Sequence, residues 1–360
     1  GSLVDTGATG NTACGELCIW LPSLSTRKEH VTRYLIAGAG SLGTVYGAML
    51  ASAGHDVQLL ARPAHADAVT SRGGVELRSF GTVQHPTLRA TADPAALDPV
   101  EAIVLACKAP DTAEVLHGIR HLADDISSAM SIQNGVTAAD DLARWCVPSA
   151  VVGAVSMVGG TLEQPGVVAH TFAGPTFLGP MPDTDPGAVD TLAGDIEGAG
   201  LQVVTTDRIR SVEWSKLVHA SPSMAITALT RLPFHQAFVV PELAEVFLDL
   251  IVEGAAVAAA AGVEVDDWPH ILPVRSLATM PREEGLATIR ARGEAMVEAG
   301  MTEVRISMLQ SVERGRPTEV DAIHGTLASE ARRLGVDAPT TTVVHRLLAG
   351  LDRVIVQEAT

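Results

Sequence analysis

YLIAGAGSLGTVYGAML, residues 34–50, decides how the chain begins. An apolar strand-like run ends in Gly38, Gly40 and Gly43 at G-x-G-x-x-G spacing, and a helical pattern starts at once. Each glycine has its own physical reason. Gly38 permits a tight turn out of the strand, Gly40 lets the backbone approach a pyrophosphate, and Gly43 lets helix and strand pack closely. The helix start at Ser41 and Leu42 then offers N–H groups to an anion. The motif reads as the first βαβ unit of a dinucleotide-binding fold; a purely structural glycine turn is its alternative.

Working outward, DVQLLAR, EAIVLACK and SAMSIQNG follow as short apolar runs between alanine-rich helical stretches, the pattern of a parallel sheet. Residues 150–158 (AVVGAVSMV), 167–179 and 201–205 continue the strand pattern. Beyond residue 207 helical spacing takes over, in ELAEVFLDLIVEGAAVAAAAG, PREEGLATIRARGEAMVEAG, EVRISMLQSVERG and TEVDAIHGTLASEARRLG. The expected fold class is α/β, a Rossmann-like domain over 31–207 followed by an all-helical domain over 208–360. The short junction predicts a cleft between them.

At 360 residues the chain is long enough for two domains. It is 47% hydrophobic, 19% charged and 3% aromatic, with 33 glycines, a globular rather than disordered composition. A formal net charge of −17 argues against broad contact with nucleic acid or anionic lipid, so an anionic substrate needs a local positive site. No apolar run is long enough to span a membrane. Four cysteines make no disulfide framework, Cys107 lies in a buried run, and a reducing cytoplasm is the expected location. Cys14 and Cys18 are four apart without a matching pair nearby, and no metal is expected. Residues 1–30 have no sustained period and read as a poorly ordered extension.

The second strand chooses the cofactor. An acid at its end would suit the ribose hydroxyl of NAD, whereas LLARP places Ala61 there and Arg62 next, a fork-shaped cation suited to the 2′-phosphate of NADP. Arg62 as an ordinary solvated charge is the alternative. His65 is read as a surface histidine or a helper to Arg62. VLACKAPDT and SIQNGV bring Lys108, Gln133 and Asn134 to strand ends, where parallel sheets meet ligands.

EWSKLVHASPSMAITAL, residues 213–229, sets Lys216 in a run of small and apolar residues. Trp214, Leu217, Val218, Ser221, Met224 and Ala225 form one helical face; Lys216, His219, Ala220 and Ser223 form a second stripe. Lys216 is either a charge reaching out to water or a working ammonium. In RISMLQSVERGRPTEVDAIHG, residues 305–325, Gly315 and Pro317 end one helix. Thr318 with Asp321 resembles a capping box, and Glu319 falls in the first turn of the next helix.

This ordered set resembles the ketopantoate reductase (2-dehydropantoate 2-reductase) family from about Val31 onward: GAGSLG, the lysine-bearing strand end, QNG, PGVVAH at 165–170, WSKL, SMLQ with RPTE, and the Gly325 of AIHG. The resemblance implies an NADP(H)-dependent reductase of a 2-oxo acid, a helical domain like that of 6-phosphogluconate dehydrogenase, and substrate in the interdomain cleft. It further implies Lys216 as proton donor, Glu319 as its acidic partner, Ser307 as the carboxylate-binding serine, and Asn134 and Lys108 beside nicotinamide and substrate. Family members usually carry asparagines four and eight residues after the lysine and an aspartate four after the SMLQ serine. Here those positions hold Ala220, Met224 and Ser311, so a carbonyl substrate other than ketopantoate enters alongside it, with His219, Ser221 and Ser223 as substitute hydrogen-bonding groups. A dinucleotide-binding sensor without turnover and a 3-hydroxyacid or imine-type dehydrogenase are the competing readings. Long helices in 241–300 offer a surface for a homodimer.

Overall fold

The computed structural model describes residues 31–359. Expectations about the extension at 1–30 and about Cys14 and Cys18 lie outside the described residues. β1 (Arg33–Ala37) has its last four residues buried, because Tyr34, Leu35, Ile36 and Ala37 meet apolar layers on both faces. After it come α1 (Ser41–Ser52), β2 (Asp56–Leu60), α2 (Pro63–Arg72), β3 (Glu76–Ser79), β4 (Thr82–Gln84), β5 (Arg89–Thr91), β6 (Ala102–Leu105), α3 (Thr112–Gly118), β7 (Ser128–Ser131) and α4 (Ala138–Trp145). Five strands form a parallel sheet in the order β5-β2-β1-β6-β7. The chain leaves β1 toward β2 on one side and returns to β6 on the other. This reversal opens a crevice at the carboxyl ends of β1 and β6, where Gly38 and Lys108 lie.

β8 (Val152–Gln164), β9 (Val167–Pro180), α5 (Pro186–Gly198) and β10 (Val203–Thr205) complete the α/β half. The segments expected to continue the strand pattern are strands, but they build a second, mixed sheet in the order β10-β9-β3-β4, with β8 paired antiparallel to β9. The 14 residues of β9 serve two partners: Val167–His170 runs parallel to β3, and Thr176–Leu178 parallel to β10. Residues 76–91, which carry no clear period, supply three of the ten strands described. β3 and β4 are joined by a two-residue turn at Phe80 and Gly81, both at positive φ (43° and 86°), the twist a tight hairpin prefers.

The helical half comprises α6 (Ile209–Thr230), α7 (Gln236–Val239), α8 (Pro241–Ala260), α9 (Val274–Thr279), α10 (Arg282–Glu298), α11 (Ser307–Glu313), a π-helical turn at Asp321–Gly325, α12 (Thr326–Leu334) and α13 (Pro339–Ala359). α6 is buried on both of its faces, since it packs against α8 and α11 and also against β8 and β9. Ala220 and Ser223, assigned to a separate stripe by spacing, are therefore as buried as Leu217 and Val218. The helix runs unbroken through Pro222. No described helix is long and apolar enough to cross a membrane.

The expected capping box does not form. Thr318 Oγ1 accepts from the Val320 N–H at 3.3 Å, but the Thr318 N–H goes to the Asp352 carboxylate at 3.1 Å instead of to Asp321. A carboxylate from α13 occupies the place that local spacing assigned to Asp321. The turn that follows is π-helical, a widened geometry frequent beside functional sites.

Candidate active site

Asn134, Glu213, Lys216, Ala220 and Ile323 line one recess between the carboxyl edge of the parallel sheet and the helices. Lys216, in the second turn of α6, does not run out to water. It is half-buried, and its Nζ donates to the Ser156 carbonyl of β8 at 2.8 Å. Burial lowers its pKa to about 8, against the pull of the Glu319 carboxylate, because an ammonium shielded from water loses hydration. Ser156 is itself held: Tyr46 on α1 donates to its Oγ at 2.9 Å. The helix that follows the glycine motif thus fixes the acceptor of the lysine, a connection no local spacing announces.

Glu319 is half-buried just ahead of the π-helical turn, and Asn134 Nδ2 donates to its Oε2 at 3.5 Å. Lys108, past the end of β6, donates to Ser311 Oγ at 2.9 Å and to the Pro317 carbonyl at 3.3 Å. Gln133 also lines the recess, but its amide is engaged in the protein. Its Nε2 bonds the Cys107 carbonyl and Thr112 Oγ1, each at 2.8 Å, and so braces the strand ends. Asn134, Lys216 and Glu319 are brought together, and Lys108 is anchored on the segment that leads into Glu319; three other expected residues are placed differently.

His219 Nδ1 accepts the Leu272 N–H at 2.8 Å, so the ring proton is on Nε2. Burial, with Lys216 and Arg292 nearby, lowers its pKa to about 4 and keeps the ring neutral. Ser223 is 2% exposed, and its hydroxyl donates to the His219 carbonyl at 2.8 Å, within its own helix. Its neighbour Ser221 is fully buried and leaves its hydroxyl without a partner among the described residues. Ser307 is exposed at the first position of α11, one turn before Ser311.

The glycine turn lies at the crevice. Gly38 has φ +89°, and a Cβ there would stand 2.4 Å from Cys107 Cβ; at Gly43 a Cβ would meet Ala106 at 2.8 Å. A Cβ at Gly40 would meet open space. The N–H groups of Ser41, Leu42 and Gly43 make no hydrogen bond among the described residues, and Gly40 caps α1 without a side chain. An open approach to bare helix N–H groups suits a diphosphate. Arg62 is exposed at the end of β2 and makes no ion pair among the described residues. His65 corrects its expectation: it is 4% exposed, linked to Thr44 Oγ1 at 3.1 Å and accepting the Gly166 N–H at 3.0 Å. It ties α2 to α1 and the β8–β9 turn and is no surface ligand, because both ring nitrogens are engaged inside.

Glu213 escaped the sequence reading. It is 6% exposed and lines the recess one turn before Lys216, and its i−3 spacing was the available signal.

Residues 34–183 match the family described as ketopantoate reductase PanE/ApbA, and residues 208–352 match its C-terminal part. A 2-dehydropantoate 2-reductase of Mesorhizobium japonicum is 31% identical over 335 residues, covering 86% of this chain and 93% of the relative. One from Pyrococcus abyssi is 27% identical, covering 88% and 96%. Among solved structures, a PanE/ApbA family ketopantoate reductase from Ralstonia eutropha JMP134 has a TM-score of 0.76 at 29% identity, covering 90% of this chain and 99% of that one. A D-mandelate dehydrogenase solved with NADH and anilino(oxo)acetate has a TM-score of 0.77 with the same coverage; at 20% identity the likeness is one of fold.

Proposed function

The chain belongs to the ketopantoate reductase family, and from that membership we propose that it reduces a 2-oxo acid to the 2-hydroxy acid with NADPH. The observation that carries the reading is Lys216, a half-buried amine held by a backbone carbonyl within the field of Glu319 at the sheet's carboxyl edge. The substrate is either ketopantoate or another 2-oxo acid, since Ala220 and Met224 stand where the family usually has asparagines.

NADPH would supply the hydride. Ser41, Leu42 and Gly43 would hold its diphosphate through their N–H groups, and Arg62 its 2′-phosphate. Lys216 has the work of general acid: as the carbonyl oxygen gains negative charge, the ammonium stabilises it and then gives up a proton. A pKa near 8 suits this, because the group is mostly protonated at neutral pH yet releases its proton readily. The Ser156 carbonyl aims the amine, and Glu319 favours its charged form. Asn134 orients Glu319, and Lys108 supplies a second cation for the acid's carboxylate. Buried free thiols at Cys107 and Cys146, their pKa pushed up to about 11 by burial, support a reducing cytoplasm as the working compartment.

The test is NADPH oxidation with a panel of 2-oxo acids, wild type against Lys216→Ala. Turnover that falls in the variant while NADPH binding persists is the expected result. Equal rates would remove Lys216 from the chemistry; binding without oxidation of any acid would favour a sensor.

A further inference from the structure

Glu213 is a charged group at the recess that the mechanism above leaves without a task. It shares a face of α6 with Lys216, Leu217 and Ala220, at i, i+3, i+4 and i+7, and all four line the recess. Lys216 is therefore flanked by a carboxyl one turn before it and by a methyl one turn after it. The polar function missing at Ala220 is present on the opposite side of the lysine.

One oxygen of Glu213 is engaged and the other is not. Oε2 accepts from Arg210 Nη1 at 3.1 Å, while Oε1 accepts no hydrogen bond among the described residues. Arg210 is also bonded to the Val136 carbonyl at 2.9 Å and to Asp140. One guanidinium thus serves two carboxylates, which leaves this wall net negative when both are ionised. The same carboxyl lines a second recess that continues past Gly135 toward Val136 and Ala138. In the reading above Lys108 meets the acid's carboxylate and Lys216 its carbonyl, and the Glu213 carboxylate repels a like charge, so the remainder of the substrate's chain is the part that can meet Glu213.

We infer that Glu213 is the specificity-determining acceptor of this site, taking a hydrogen bond from a hydroxyl or ammonium at the far end of the substrate's chain. The inference rests on the 2-oxo acid reading above. A neutral methyl placed there would strip water from the free carboxyl oxygen without replacing its hydrogen bond, whereas a donor satisfies it. The resulting discrimination is about tenfold to a hundredfold in kcat/KM. Arg210 orients the carboxyl, so it acts on specificity as a positioning residue.

The experiment compares 4-hydroxy-2-oxobutyrate, 4-ammonio-2-oxobutyrate and 2-oxopentanoate, which match in length, as substrates with NADPH for wild type, Glu213→Gln and Glu213→Leu. Wild type is expected to favour a donor-bearing acid over 2-oxopentanoate, chiefly through KM. Glu213→Leu brings that ratio to about one. Glu213→Gln keeps an acceptor and so keeps preference for the hydroxyl, but loses preference for the ammonium. NADPH titration of each variant checks that it has folded, and the near-isosteric Gln variant carries the test if Leu does not. Turnover of all three acids without discrimination, or a preference that survives Glu213→Leu, overturns the inference and leaves the reductase reading standing. Absence of turnover with these acids and with ketopantoate overturns both.

Discussion

Lys108 Nζ donates to Ser311 Oγ at 2.9 Å across 203 residues of chain, joining the end of β6 to α11. The bond combines a tether with a charge, and two substitutions separate them. Ser311→Ala removes the tether and leaves the ammonium on the Pro317 carbonyl. We expect a loss of about 1–2 kcal/mol in urea unfolding, with KM for substrate within about twofold. Lys108→Met should lose similar stability and also raise KM about tenfold, because the cation itself is gone. Matching KM values in the two variants would show that Lys108 serves only as a strut.

Lys216 predicts the alkaline limb of the pH profile. Its pKa is lowered to about 8, so it is an ammonium below that pH and a free amine above. kcat/KM should fall as pH rises through about 8. Glu319 is the charge that raises the group; the neighbouring His219 is neutral at these pH values. Glu319→Gln should therefore move the limb to lower pH, and Lys216→Ala should lower kcat by roughly 10²–10⁴-fold. A limb that stays in place in Glu319→Gln would break the electrostatic link between the two residues.

Arg62 predicts the choice between cofactors. Its guanidinium is exposed and makes no ion pair among the described residues, so removing it breaks none. Arg62→Ala should weaken NADPH binding about tenfold to a hundredfold, the worth of a charged hydrogen bond, and leave NADH binding unchanged. Fluorescence titration with both nucleotides reads this directly. Equal weakening for both would move Arg62 away from the 2′-phosphate.

What could be read from the chain was local. GAGSLG carries its geometry in its own spacing, and Lys216 stood out because a lysine in an apolar helix demands an explanation. The unread features depend on partners far along the chain. β3 is a strand because Leu77 pairs with Val168, and its own four residues have no telling period. Thr318 bonds to Asp352 because tertiary packing brings a carboxylate closer than the local Asp321. His65 read as a surface residue until Thr44 and Gly166 enclosed it. Ser311 stood out as a departure from the family and became informative only with Lys108 beside it.

Glu213 predicts a pH-dependent difference in stability. Burial raises its carboxyl from 4.5 to about 7, against the opposing pull of Arg210. Between those values the folded protein holds a proton that the unfolded chain has released. Stability from this group is therefore lost as pH rises from about 4.5 to 7 and is level above that. The buried His219 and His324, both lowered to about 4, act in the opposite sense, since acid favours the unfolded chain in which they charge freely. Only the difference between variant and wild type isolates Glu213. Glu213→Gln cannot ionise, so its unfolding free energy should gain on that of wild type from pH 5 to pH 7, by an amount on the order of 2–3 kcal/mol, and run parallel above. Urea titrations at pH 5, 6, 7 and 8 measure it. Parallel curves across the whole range would mean that the carboxyl is ionised throughout, held by Arg210 as an ordinary ion pair.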